Sequence, residues 1–171
     1  ELDDAAKTYL KDFGAATASN GAVGLYHVEN ITPEAVKYGK DLIAEDAKVY
    51  VVDDAELQRV YESYPVIWKK KDAKPKLCCM GCPHMSLQQL IDWTEKVSQS
   101  LKEAGRTRVC IPTVFTAAPA VLKKFQETPY AETLKATGVI TSYICPLMYM
   151  NNPLSEKMPV ITSSNKLRTY T

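Results

Sequence analysis

Short apolar runs that read as strands alternate along this chain with segments that carry helix-start signals, and that alternation limits the fold more than any other feature. "LDDAAKTYLKDF" places apolar residues at 5, 6, 9, 10 and 13, one face of a helix. "AVGLYHVE" reads as a buried strand. In "ITPEAVKYGKDLIAED", Thr32 is the predicted N-cap and Pro33 takes the first helical position, where a missing N–H costs nothing. "KVYVVD" is a second strand, and Asp53 with Glu56 opens the helix "DAELQRVYES". "KLCCMG" is a third strand, followed by a capping box, Ser86 with Gln89, and the amphipathic helix "LQQLIDWTEKVSQSLKEAG". The strand "RVCIPTV", the helices "APAVLKKFQE" and "YAETLKATG", and the strand "VITSYIC" come next. After a loop, "PLMYMNNPLSEK", a last strand "MPVIT" runs into the helical "SSNKLRTY".

Strands joined through helices require crossover connections, so the sheet is mostly parallel and covered by helices on both faces. The expectation is a doubly wound, Rossmann-like three-layer α/β/α fold of five to six strands, with residues 1–171 forming one domain. The first strand–helix turn lacks G-x-G-x-x-G, which removes the main support for nucleotide binding. A net charge of +1 gives no electrostatic footprint for nucleic acid or a membrane surface. The basic stretch "YPVIWKKKDAKPK" reads as a solvated connector.

In parallel sheets, ligands gather beyond the carboxyl ends of the strands. Four predicted strand ends carry unusual residues: "HVENITPE", "CCMGCPHMS", "SYICPLMYMNNP" and "ITSSNK". Three cysteines, a glycine, a proline and a histidine crowd the second of these. Five cysteines with no visible secretory signal favour reduced thiols in the cytoplasm over a disulfide framework. Cys78 and Cys110, within strand-like runs, read as core residues. Cys82 and Cys145 each end a strand and precede a proline, a context that recurs around iron–sulfur ligands. The spacing of Cys79 and Cys82, with His84 nearby, leaves open a zinc- or thiol-based binding module without catalysis of its own. His84 either hydrogen-bonds within its loop or joins the site, and His27 reads as a partly buried, satisfied histidine. In "TSSNK", Ser163 and Ser164 either cap a helix or line an anion site, and Lys166 favours the anion site.

The blocks "GAATASNGAVGLYHVENITPEA", "GCPHMSLQQL", "ICP" and "ITSSNKLRTY" resemble, in order, successive blocks of the aconitase X catalytic domain. The resemblance covers nearly the whole chain and implies the middle-to-late part of that large region. It implies a hydro-lyase acting on a small hydroxy acid such as cis-3-hydroxy-L-proline or mevalonate 5-phosphate. An iron–sulfur cluster, 2Fe-2S or 4Fe-4S, would take Cys82 and Cys145 as ligands, with a third cysteine from outside this chain. Ser163 or Ser164 would be the base, by analogy with the wider aconitase superfamily, while His84, Asn165 and Lys166 would hold substrate. The partner would be a small swivelling domain or subunit, without which this chain is expected to be inactive. Two departures, "TSYIC" before the second cysteine and Arg168 in the last block, bear on substrate identity.

Overall fold

The computed structural model describes residues 2–64, 68, 70, 72–150 and 152–170. The chain divides into two compact units, Glu1–Gly24 with Lys74–Thr171, and Leu25–Ala73. The larger unit contains α1 (Asp4–Gly21), β1 (Leu77–Met85), α4 (Leu87–Glu103), β2 (Thr113–Ala117), α5 (Pro119–Gln126), α6 (Pro129–Ala136), β3 (Ile140–Ser142), α7 (Pro146–Met150), β4 (Val160–Ile161) and α8 (Asn165–Tyr170). The smaller one contains α2 (Pro33–Tyr38), a single 3-10 turn and α3 (Asp54–Ser63).

The four strands form one sheet in the order β3-β2-β1-β4, and every neighbouring pair is parallel. Side chains alternate across it as strand geometry demands. Met80, Met85 and Phe115 enter a core with Leu90 of α4, Phe125 of α5 and Leu134 of α6. Cys79 and Cys82 enter a second core with Met150 of α7 and Leu167 of α8. Both faces are therefore covered, as expected of an α/β fold. From β1 the chain steps outward through β2 to β3, then returns past β1 to lay β4 on the other side. The strand order thus reverses between β1 and β4, where such folds place ligands.

Ser86 caps α4 through the expected box: its hydroxyl accepts the Gln89 N–H at 3.1 Å and the Gln89 side chain accepts the Ser86 N–H at 3.0 Å. Asp53 caps α3 in the same way, accepting from Glu56 N–H at 2.8 Å. Thr32 precedes α2 without a side-chain cap bond; its hydroxyl instead accepts the Val28 N–H.

Four strands are present among the described residues where five to six were expected. Residues 22–29 and 48–53 are not strands, and Val49 is 89% and Val52 62% exposed. Apolar, β-branched composition does not make a strand without a neighbour to complete its ladder. The fourth expected strand begins later than its apolar run, at Thr113, and this leaves Cys110 exposed instead of in the core. His27 is likewise exposed and ends no strand. Part of the loop "PLMYMNNPLSEK" is helical, as α7. Of the basic connector, Pro65, Val66, Ile67, Lys69 and Lys71 lie outside the described residues. No helix among the described residues is long and apolar enough to cross a membrane.

Leu90 is fully buried where α4 meets the sheet. Leu90→Ala is expected to lower unfolding free energy by about 2–5 kcal/mol, by transfer loss plus the cavity left behind. Urea titration followed by far-ultraviolet circular dichroism checks this.

Candidate functional site

The strand that carries the cysteine motif does not run straight. Met80 of β1 pairs with Phe115 and Met85 with Ala117, so β1 spends Gly81–His84 as a bulge over a short step of β2. Bulges of this kind re-aim side chains at the ends of sheets. Gly81 makes it possible. Its φ is +99°, and a Cβ there would stand 2.3 Å from the Thr116 carbonyl oxygen and 2.7 Å from its hydroxyl. That hydroxyl donates to the Gly81 carbonyl at 2.6 Å, holding the bulge against β2. The Cys82–Pro83 bond that follows is cis.

At the other side of the switch point, β4 leads into Ser163 and Ser164. Ser164 is buried, and its hydroxyl donates to the Cys82 carbonyl while accepting the Leu167 N–H at 2.9 Å. One side chain thus caps α8 and ties it to the bulge. Ser163, by contrast, is exposed.

Between these elements lies a pocket of about 280 Å³. Gly81, Cys82 and Pro83 form one wall, Ser163, Ser164, Asn165 and Lys166 a second, and Gln89 with Trp93 of α4 a third. The remaining wall is α1, through Tyr9, Asp12, Phe13, Ala15 and Ala16. The rings of Tyr9 and Phe13 stack with centroids 6.2 Å apart. Lys11 donates to the His84 carbonyl and, at 3.0 Å, to Gln89 Oε1, while Gln89 Nε2 donates to Asp12 at 2.9 Å. The capping glutamine of α4 therefore also fixes α1 to the site.

Of the residues singled out in the sequence, Cys82, Ser163, Ser164, Asn165 and Lys166 share this pocket. His84 is not among its lining residues, and its carbonyl is engaged by Lys11. Cys145 is exposed, just before α7, and close enough for its charge to act on Cys82. Burial pushes the Cys82 thiol up; the Ser164 hydrogen bond opposes this, Cys145 adds to it, and Lys166 opposes it. Cys79, in the sheet core, is pushed up to about 11, by burial first and by Cys78 second. Burial also raises Cys78, which packs against the first core.

All five cysteines are free thiols. Among the described residues no group of three or more His, Cys, Asp or Glu side chains is placed to hold a metal ion. Cys79, Cys82 and His84, the residues of the alternative zinc or thiol reading, are thus not gathered as a three-ligand group. The contribution of α1 was not legible in the sequence, because no local pattern links Lys11 or Asp12 to residues more than seventy positions away.

Fold and site define a parallel α/β protein with a strand-end pocket lined by a thiol, hydroxyls, an amide and an ammonium group. A model of the aconitase X second domain matches residues 1–62. Over 165 residues the chain is 31% identical to the phosphomevalonate dehydratase large subunit of Methanosarcina mazei, covering 96% of this chain and 36% of that protein. It is 31% identical over 127 residues to the phosphomevalonate dehydratase large subunit of Thermococcus kodakarensis, covering 74% of this chain and 30% of that protein. The crystal structure of Thermococcus kodakaraensis aconitase X, holo-form, matches with a TM-score of 0.70 at 26% identity, over 96% of this chain and 39% of that one. The chain belongs to the aconitase X family, and it spans about a third of the length of these relatives.

Two outcomes are expected. Gly81→Ala should lower stability by more than about 3 kcal/mol or abolish soluble folding, since backbone must move to admit the Cβ. Gly24→Ala, where the Cβ meets nothing within 4 Å, is the tolerated control in the same denaturation assay. Under native conditions at pH 8, iodoacetamide should label Cys110 and Cys145 first and leave Cys79 unmodified until the protein is unfolded, as read by peptide mass spectrometry. The raised Cys79 pKa favours the protonated thiol in the folded state, so its contribution to stability holds at neutral pH and is lost as pH climbs through about 11.

Proposed function

We propose that this chain supplies the cysteine-bearing wall of the active site in an iron–sulfur hydro-lyase that dehydrates a small 3-hydroxy acid. The observation that carries the reading is the convergence of Cys82, Ser163, Asn165 and Lys166 on one pocket at the switch point, with Cys145 within electrostatic reach. Mevalonate 5-phosphate is the favoured substrate over cis-3-hydroxy-L-proline, because the curated relatives named above are phosphomevalonate dehydratase large subunits. Their designation also supports a small subunit or swivelling domain as the partner that completes the pocket. Five free thiols are in keeping with a reducing, cytoplasmic setting.

Cys82 and Cys145 fit a cluster as thiolate donors, and the third donor would come from a segment outside this chain. The type of cluster, 2Fe-2S or 4Fe-4S, depends on that contribution. When bound, a cluster with an open iron position supplies a Lewis acid for the departing hydroxyl. The chain's own residues do the rest. Lys166 and Asn165 hold an anionic group of the substrate by charge-assisted and neutral hydrogen bonds. Ser163, exposed on the same loop, is the candidate base for the proton on the carbon next to the carboxylate. The proton passes to the Ser163 oxygen in its deprotonated form, the C–H electron pair becomes the new double bond, and the hydroxyl on the neighbouring carbon leaves with its bonding pair as hydroxide, which takes up one proton from solvent to become water. Ser164 is assigned a structural part, since its hydroxyl is already committed to Cys82 and α8. Phe13, Trp93 and Met85 give the cavity apolar wall beside these polar groups.

The test uses the full-length polypeptide with its small subunit, reconstituted anaerobically with iron and sulfide. Cys82→Ser and Cys145→Ser are each expected to lose most bound iron and the visible absorption that accompanies it. Ser163→Ala is expected to keep its iron while dehydration slows about 10²–10⁴-fold, the usual contribution of a positioned base. Full iron uptake in both cysteine variants would refute the ligand assignment.

A further inference from the structure

The smaller unit, Leu25–Ala73, has almost no core of its own. Ala35 is its only buried residue among those described, and α3 buries none. Its apolar side chains follow a pattern nonetheless. Val49, Tyr50, Val51 and Val52 are all exposed. A strand covered on one side would hide alternate residues, so four exposed in a row leave neither face covered. The backbone is equally open: among the described residues none of the four makes a backbone–backbone hydrogen bond. On α3, Leu57, Val60 and Tyr61 stand three and four residues apart in one apolar stripe, with Leu57 58% and Tyr61 77% exposed. Polar bonds join the two parts. Asp53 caps α3, and Glu56 accepts from the Tyr50 hydroxyl and, at 2.6 Å, from Arg59. The apolar run is thereby held against the first turn of the helix.

A β-branched and aromatic run, a cap and an amphipathic helix are the parts of a strand–helix unit. Its strand needs a neighbour to complete a ladder, and its helix needs a sheet face to cover. We propose that Val49–Val52 and the Leu57, Val60 and Tyr61 stripe form a docking surface for an extended, apolar segment of the same polypeptide outside residues 1–171. That segment pairs with Val49–Val52 as a neighbouring strand, and α3 packs on the sheet so formed. Chain length supports this occupant. The match to the Methanosarcina mazei large subunit covers 96% of this chain and 36% of that protein, and the match to the aconitase X crystal structure covers 39% of that chain. Most of each relative's length therefore lies outside the matched region. Composition argues for permanent cover. Strand edges that stay open to solvent are guarded by charge, proline or bulges, and Val49–Val52 contains neither charge nor proline. The inference concerns assembly of the fold and holds whichever reaction the enzyme performs.

The experiment uses the full-length large polypeptide, first alone and dilute, then with its small subunit. Amide hydrogen exchange read by mass spectrometry should show the Val49–Val52 amides slowed about 100-fold or more against the free-chain rate in the large polypeptide alone. With p-benzoylphenylalanine in place of Val51, light should give an adduct within one polypeptide, to a segment outside residues 1–171. Leu57→Ala should lower the melting temperature by about 2–5 °C, whereas Gln58→Ala, one position off the stripe, should stay within about 1 °C. Exchange at the free-chain rate overturns the inference. So does protection that appears only at high concentration or only with the small subunit, since the occupant is then a second copy or the other chain. An adduct confined to residues 1–171 overturns it as well, and so does a Leu57→Ala variant as stable as Gln58→Ala.

Discussion

Thr116 stands so close to Gly81 that no side chain could come between them, and the geometry of the site depends on that contact. The hydroxyl of Thr116 holds the Gly81 carbonyl at 2.6 Å, and the missing Cβ lets the two backbones approach. From there β1 leaves its ladder with β2 and does not rejoin it until Met85. The bulge in between carries Cys82 to the strand-end edge. Ser164 then fastens the Cys82 carbonyl to the start of α8, and Lys11 fastens the His84 carbonyl to α1. Three short-range polar contacts thus convert a sheet edge into a walled pocket, and each is made by a side chain whose own position is fixed by a strand, a cap or a helix.

The same contacts explain why a cysteine-rich motif of this kind divides its labour. Cys79 packs against Met150 and Leu167 and is held protonated by burial. Cys78 faces the opposite core. Cys82, carried by the bulge, shares the core of Cys79 and also lines the pocket. Crowding in the sequence therefore does not mean crowding at a metal, because alternate residues of a strand point to opposite faces.

Much of this was legible beforehand, and the reasons differ by element. The capping box of Ser86 and Gln89 and the Asp53 cap located their helices, since caps act within one turn. The parallel sheet followed from alternation, and with it the shared edge for β1, β3 and β4. The failures were long-range. "KVYVVD" has the composition of a strand, yet its four apolar residues, Val49 to Val52, stand 62–89% exposed with no ladder beside them. Composition reports willingness to pair, and the partner is what local pattern cannot supply. For the same reason α1 read as an ordinary amphipathic helix, while its Lys11 and Asp12 turned out to frame the pocket. Ser163 and Ser164, indistinguishable as neighbours in sequence, are separated by burial and by the bonds Ser164 already makes.

If Cys82 and Cys145 are ligands of one metal centre at the edge where the strand order reverses, iron-edge anomalous diffraction from anaerobic crystals of the full-length enzyme will show an iron peak bonded to both sulfurs, beside the Ser163–Lys166 loop. Iron bound elsewhere, with either sulfur turned away from it, would rule that pairing out.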